Sequence, residues 1–204
     1  GGFPYSNVLD EMGYEVYGID ISPTLVDMVN ESLPNINVEV GDSEDLEFTD
    51  NFFDVVFCFR STWYFPDVIK SIREMLRVVK VGGLIMFDLQ NSNNLIHKEG
   101  HRKKIEGKRN NLVFNLFKII KNIIKIIIKP IKSYDVDWLF RRSPIIFETP
   151  TNPNNVNRYL KSRDDVKYRL YGVRWDHSST LEETKKTTDL DQFDRLVYKV
   201  SKEG

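Results

Sequence analysis

The chain has 204 residues, enough for one sizeable domain or for one domain plus a cap. Apolar residues make up 41% and charged residues 29%, which is ordinary globular usage, and a formal net charge of −1 makes no case for nucleic acid as a partner. The single cysteine, Cys58, excludes an internal disulfide and any multi-cysteine metal site. The first twenty residues have neither a basic start nor an apolar core, so no signal peptide is expected. No run reaches about 18 apolar residues free of charge, so no membrane-crossing helix is expected and the cytoplasm is the default location. The chain opens at Gly1-Gly2-Phe3-Pro4 without an initiator methionine and reads as a fragment that begins inside a motif.

Residues 5–12 predict a short helix with Val8, Leu9 and Met12 on one face and Gly13 as its stop. Residues 15–20 predict a strand. Ser22 then suits an N-cap and Pro23 the first helical position of a helix that runs to about Leu33, where Pro34 stops it. Residues 37–40 predict a short strand ending at Gly41-Asp42. Residues 53–59, rich in β-branched and aromatic side chains, predict a strand buried on both faces of a parallel sheet. A helix is expected from Pro66 through Val79, then a turn at Gly82-Gly83, then a strand at 84–87. Strand and helix alternate up to residue 89, which predicts a βαβ-type parallel sheet.

That alternation stops near residue 90. A polar loop, Gln90 to Asn94, leads into a basic run, Lys98 to Arg109, and then into 112–131. Lys118, Lys121, Lys125, Lys129 and Lys132 are spaced 3, 4, 4 and 3, one narrow polar stripe at helical period, while Phe and Ile fill the other faces. Such a helix must bury most of its surface. It suits a cap packed over a pocket, a helix lying in a membrane interface with its lysines toward anionic lipid, or a protein-partner surface. Beyond it, 145–148 predict a strand, 152–161 a helix starting near Pro153, and 166–171 and 196–200 two more strands.

The most informative stretch is Tyr17-Gly18-Ile19-Asp20-Ile21-Ser22. An apolar strand ends on one acid, Asp20, and a helix opens directly after it. An acid so placed can accept hydrogen bonds from both hydroxyls of a ribose, the way open α/β sheets hold an adenosine cofactor at the carboxyl end of a strand.

Further pieces follow in order. Gly1-Gly2 resembles the tail of a glycine-rich loop. Gly41-Asp42-Ser43-Glu44-Asp45-Leu46 resembles an acidic turn after a third strand. Phe53-Asp54-Val55-Val56 followed by Tyr64-Phe65-Pro66-Asp67 resembles a fourth strand and its helix. Arg77 to Leu84 resembles the approach to a fifth strand. Together with Asp20 these pieces, all within residues 1–89, resemble the class I S-adenosylmethionine-dependent methyltransferases. The resemblance implies an α/β fold with a doubly wound, mostly parallel, Rossmann-like sheet, here lacking its first strand and carrying a helical basic cap insertion. It implies a cofactor-binding core at 1–89, a cap at 90–143 and the rest of the core at 144–204.

The resemblance also implies roles. Asp20, followed by Ile21, would hold the ribose, Asp42 the adenine amino group and the Ser43 backbone the adenine ring. Cys58 and Phe59 would line the methionine end, and Gly1 and Gly2 would let the backbone approach it closely. Arg60, Trp63 and Tyr64 follow the fourth strand, where acceptors bind. Asp88 and Asn91, beyond the fifth strand, are further candidates for a polar acceptor contact. The implied activity is methyl transfer from S-adenosylmethionine to a small-molecule, saccharide or lipid-linked acceptor, with O-methylation preferred. No general base is recognisable, and His97, His101 and His177 have no metal-ligand spacing. Two other readings fit parts of the pattern. One is an NAD-dependent Rossmann oxidoreductase, since an acid after the second strand suits NAD equally. The other is a non-catalytic membrane-surface module with a degenerate methyltransferase core.

Overall fold

The computed structural model describes residues 5–94, 151–174, 181–184, 190 and 192–204. The predicted strand at 145–148, the basic stripe, Gly1, Gly2 and all three histidines lie outside these residues. The elements in chain order are α1 (Ser6–Glu11), β1 (Tyr17–Asp20), α2 (Pro23–Ser32), β2 (Asn37–Val40), β3 (Phe53–Cys58), a 3-10 turn (Thr62–Tyr64), α3 (Val68–Val78), β4 (Val79–Gln90), α4 (Pro153–Lys161), β5 (Val166–Val173), β6 (Leu181–Glu183) and β7 (Arg195–Lys202). The strands form a two-stranded sheet, β1-β2, and a five-stranded sheet in the order β3-β4-β7-β5-β6. The chain groups into two compact units: Gly1–Val56 with Asp67–Ile85 and Lys202–Gly204, and Phe57–Pro66 with Met86–Ser201.

In the first unit, α2 starts where the sequence says it should. The Ser22 Oγ accepts the Leu25 N–H at 3.4 Å, and Pro23 fills the first turn, where its missing N–H costs nothing. β1 and β2 pair in parallel with Asp20 opposite Val40. Val26, Val29, Ile36 and Val38 form the core of this βαβ segment, with Val16 and Leu33 packed against it. The Tyr17 ring meets Phe48, Phe52 and Phe53 edge-on, at centroid distances of 6.1, 5.5 and 5.7 Å. α3 starts at Val68 rather than Pro66, because the Asp67 carboxylate caps it by accepting the Lys70 N–H at 3.1 Å.

Two expectations about the middle strands are corrected. β3 is not buried on both faces: Val55 is 41% and Phe57 48% exposed. It is the terminal strand of the five-stranded sheet, so only one side is flanked by a neighbour among the described residues. Gly82-Gly83 is not a turn between helix and strand. β4 begins at Val79, directly after α3, and runs through Gly82, which takes a φ of 82° within the strand. A Cβ on Gly83 would lie 2.9 Å from the Asp54 carbonyl oxygen and 2.8 Å from that of Lys80, so this position needs glycine for close approach.

In the second unit, Phe87 on β4 stacks on Tyr198 of β7, with centroids 4.8 Å apart and planes 5° from parallel. The buried Tyr198 hydroxyl donates to Asn157 Oδ1 on α4 at 3.0 Å. Val156, Leu160, Leu196 and Val200 are buried in the same unit. α4 has Asn152 as its cap and Pro153 in its first turn, as the sequence predicts.

Candidate functional site

In the first unit the two acids that the sequence singled out share one edge. The register sets Asp20 against Val40, so Asp42 lies in the turn two residues past the end of the neighbouring strand. The Asp20 backbone carbonyl accepts the Gly41 N–H at 3.0 Å, and its Oδ1 accepts the Ser22 N–H at 2.9 Å. That second bond turns the carboxylate toward the start of α2, where the helix dipole favours a negative charge. Ile21, beside it, is 53% exposed. The Asp42 Oδ1 accepts the Glu44 N–H at 2.9 Å, and its carbonyl accepts the Asp45 N–H at 3.0 Å, which closes the acidic turn. A shallow concavity here is lined by Ile19, Val40, Gly41, Asp42, Asp45 and Leu46, among others.

The shape of that turn is imposed by α3. Ser43 Oγ lies 3.1 Å from Ser71 Oγ. The buried Glu44 accepts the Asp67 N–H at 2.7 Å, and Glu74 accepts the Leu46 N–H at 3.0 Å. Arg77 then binds the next stretch. Its Nη2 donates to the Leu46 carbonyl at 2.6 Å, and its Nη1 donates to the Phe48 carbonyl at 2.7 Å and to Asp50 at 2.8 Å. The hydrogen bonds from Arg77 are the main reason the Glu74 carboxyl titrates below its ordinary range. Glu44, Glu74 and Arg77 lie inside stretches that the sequence marks, but their anchoring roles emerge only from the structure. The signal available was the spacing of Glu74 and Arg77, three apart on one helix face.

In the second unit, Cys58, Phe59, Arg60, Trp63 and Tyr64 follow one another from the end of β3. The Cys58 thiol is pushed up to about 12, by burial first and by the nearby Asp88 carboxylate second. That shift disfavours the thiolate, the nucleophilic form. Arg60 adopts a φ of 59°, unusual for a residue with a Cβ. Its N–H donates to the Asp88 Oδ1 at 2.7 Å, and the Thr62 hydroxyl donates to the Asp88 carbonyl at 2.6 Å. Asp88 is buried at 3% exposure, and burial pushes its carboxyl above the usual aspartate value despite the opposing pull of the Arg60 N–H and of Arg195. Arg195, at the start of β7, places its Nη1 3.5 Å from Asp88 Oδ2 and its guanidinium 5.1 Å from the Trp63 ring centroid. Tyr64 is 49% exposed, with its ring 5.7 Å from that of Trp63. Asn91 has a different role. Its amide donates to the Leu190 and Phe193 carbonyls and its Oδ1 accepts the Asn93 N–H, so it builds the loop after β4.

The residues of the first unit suit a nucleoside. They offer a fixed carboxylate, an exposed aliphatic side chain beside it, and a pinned acidic turn one strand away. Among the described residues no group of His, Cys, Asp and Glu could hold a metal ion. The pattern of the methyltransferase domain family matches residues 1–87. Over those residues the chain resembles a methyltransferase domain. The cofactor that this family and fold imply is S-adenosylmethionine.

Curated relatives match part of the chain. Over 91 residues the chain is 30% identical to a sterol 4-C-methyltransferase of Caenorhabditis elegans, covering 41% of this chain and 27% of that protein. Over 75 residues it is 36% identical to a demethylmenaquinone methyltransferase of Staphylococcus aureus, covering 35% of this chain and 31% of that protein. The chain thus matches under a third of the length of these relatives. Solved structures share the Rossmann-like fold. A methyltransferase of Thermotoga maritima superimposes with a TM-score of 0.62 at 12% identity, over 99% of this chain and 79% of its own. A methyltransferase from Bacillus halodurans does so with a TM-score of 0.55 at 12% identity, over 100% of this chain and 90% of its own.

Proposed function

We propose that this methyltransferase domain binds S-adenosylmethionine through Asp20, Ile21, Asp42 and Ser43 and serves methyl transfer to a small-molecule acceptor. The observation that carries the reading is the shared edge of Asp20 and Asp42, with Asp20 held at 2.9 Å by the Ser22 N–H at the start of α2. A carboxylate there accepts from ribose hydroxyls, and a second one strand over accepts from the adenine amino group. The cofactor supplies an activated methyl on a cationic sulfur. The work left to the chain is to orient the acceptor and keep water out. Cys58 and Phe59 are assigned to the methionine end, and Arg60, Trp63 and Tyr64 to the acceptor. The neutral Cys58 thiol supports a lining role, because a thiolate would compete for the methyl group.

A sterol and a demethylmenaquinone stand in the names of the relatives, which supports a small-molecule acceptor over a macromolecule. O-methylation, a cap role for 90–143 and peripheral membrane contact through 112–132 belong to the same proposal. The last rests on the lysine stripe in the sequence. Among the described residues no helix is long and apolar enough to cross a membrane. A competition titration on the full chain separates this reading from the oxidoreductase alternative. S-adenosylhomocysteine should bind and NAD should not displace it; displacement by NAD at comparable concentration would overturn the assignment.

A further inference from the structure

The cluster around Asp88 is more elaborate than a lining surface requires. β4 and β7 are neighbours in the sheet, and this brings together two residues 107 positions apart, Asp88 and Arg195. The Arg195 guanidinium meets both an acid and a ring. Asp88 Oδ2 fixes one terminal nitrogen at 3.5 Å, and the Trp63 ring supports the group at 5.1 Å. Its side chain nevertheless keeps 25% of its surface exposed, while that of Asp88 keeps only 4%. The cation is therefore both oriented and reachable, and its partner acid is not. Arg60, whose backbone N–H is fastened to the same carboxylate, has an exposed side chain, so a second guanidinium belongs to the same turn.

An arginine used only for stability gains little from this arrangement. A buried carboxylate is costly to desolvate, and a cation left a quarter exposed offsets only part of that cost. A preoriented guanidinium next to exposed aromatic surface is instead well suited to a planar oxyanion. The fork of N–H donors matches a carboxylate, and holding it in place beforehand lowers the entropy lost on binding. Trp63 and the half-exposed Tyr64 add flat apolar surface beside it.

We propose that Arg195, oriented by Asp88 and Trp63, anchors a carboxylate or similar oxyanion of a small, flat methyl acceptor. This rests on the methyl-transfer reading above and narrows its acceptor to anionic molecules. The anchored oxyanion is the handle of the acceptor and does not itself react. Asp88 acts through Arg195 and the Arg60 backbone and is a positioning residue.

Benzoate and its neutral isostere benzamide are suitable probes, titrated calorimetrically into the full chain with and without S-adenosylhomocysteine. Benzoate should bind about tenfold more tightly than benzamide. Arg195→Gln should erase that preference while the affinity for S-adenosylhomocysteine stays within about twofold. Arg195→Lys should restore only part of it, because an ammonium lacks the fork. Equal binding of the two probes to the wild-type chain would overturn the proposal, and needs no variant to fold. So would an undiminished benzoate preference in Arg195→Gln. Loss of S-adenosylhomocysteine binding with the benzoate preference intact would instead overturn the methyl-transfer reading and leave the anion site standing.

Discussion

The backbone of Arg60, at a φ of 59°, is fastened to Asp88 by a 2.7 Å hydrogen bond from its N–H to the buried carboxylate. A left-handed backbone costs a residue with a Cβ about 1–2 kcal/mol relative to glycine. The bond to Asp88 offsets that cost and fixes the turn that presents Trp63 and Tyr64. Replacing Asp88 by Ala strands the Arg60 N–H and removes the partner of Arg195, and should cost about 1–3 kcal/mol in denaturant unfolding. Arg60→Gly relieves the strain and should raise stability by up to about 1 kcal/mol. Together the two results separate the strain from the bond that holds it.

Arg77 and Lys80 both form ion pairs near the end of α3, but they should not matter equally. Arg77 binds the Leu46 and Phe48 carbonyls as well as Glu74 and Asp50. Lys80 pairs with the exposed Asp54 at 2.8 Å. Arg77→Ala should cost about 2–3 kcal/mol because it strands two carbonyls and takes the cation from two acids, and Arg77→Lys should recover less than half of that. Lys80→Ala should fall within about 0.5 kcal/mol of wild type. Urea midpoints of the three variants check the ranking.

Gly172 on β5 has no room for a side chain. A Cβ there would lie 2.2 Å from the ring of Phe193, which is buried at 2% exposure and covered by the Arg174 guanidinium at 5.3 Å. The ring cannot turn away without opening the core. Gly172→Ala should lower stability by about 1–3 kcal/mol, and Phe193→Leu in the same chain should recover part of the loss. Additive losses in the double variant would show that the two residues do not clash.

The Cys58 thiol, pushed up to about 12, should resist alkylation. The sign is direct: burial disfavours the thiolate, so only a minute fraction is reactive at pH 8. Iodoacetamide labelling should be slower than for free cysteine by at least about a hundredfold and should accelerate about tenfold per pH step up to the unfolding limit. Labelling at the free-cysteine rate would place the sulfur in water.

Much of this was legible locally. Ser22-Pro23 announced the start of α2, Asn152-Pro153 that of α4, and Asp20 the end of β1, because caps and strand ends depend on neighbours a few residues away. β3 was misjudged because apolar content cannot distinguish a central strand from an edge, which depends on sheet order. Glu44 was read as part of an acidic turn, although its side chain is buried against the N–H of Asp67. Arg195 carried no local signal. Its partner Asp88 lies 107 residues away, and only the adjacency of β4 and β7 makes the pair.

The most direct test of the account is calorimetric titration of the full chain with S-adenosylhomocysteine, wild type against Asp20→Ala. The account predicts measurable binding that weakens about a hundredfold in the variant, the loss expected when two hydroxyls lose a charged acceptor. No heat with the wild-type chain, or binding that Asp20→Ala leaves untouched, would contradict it.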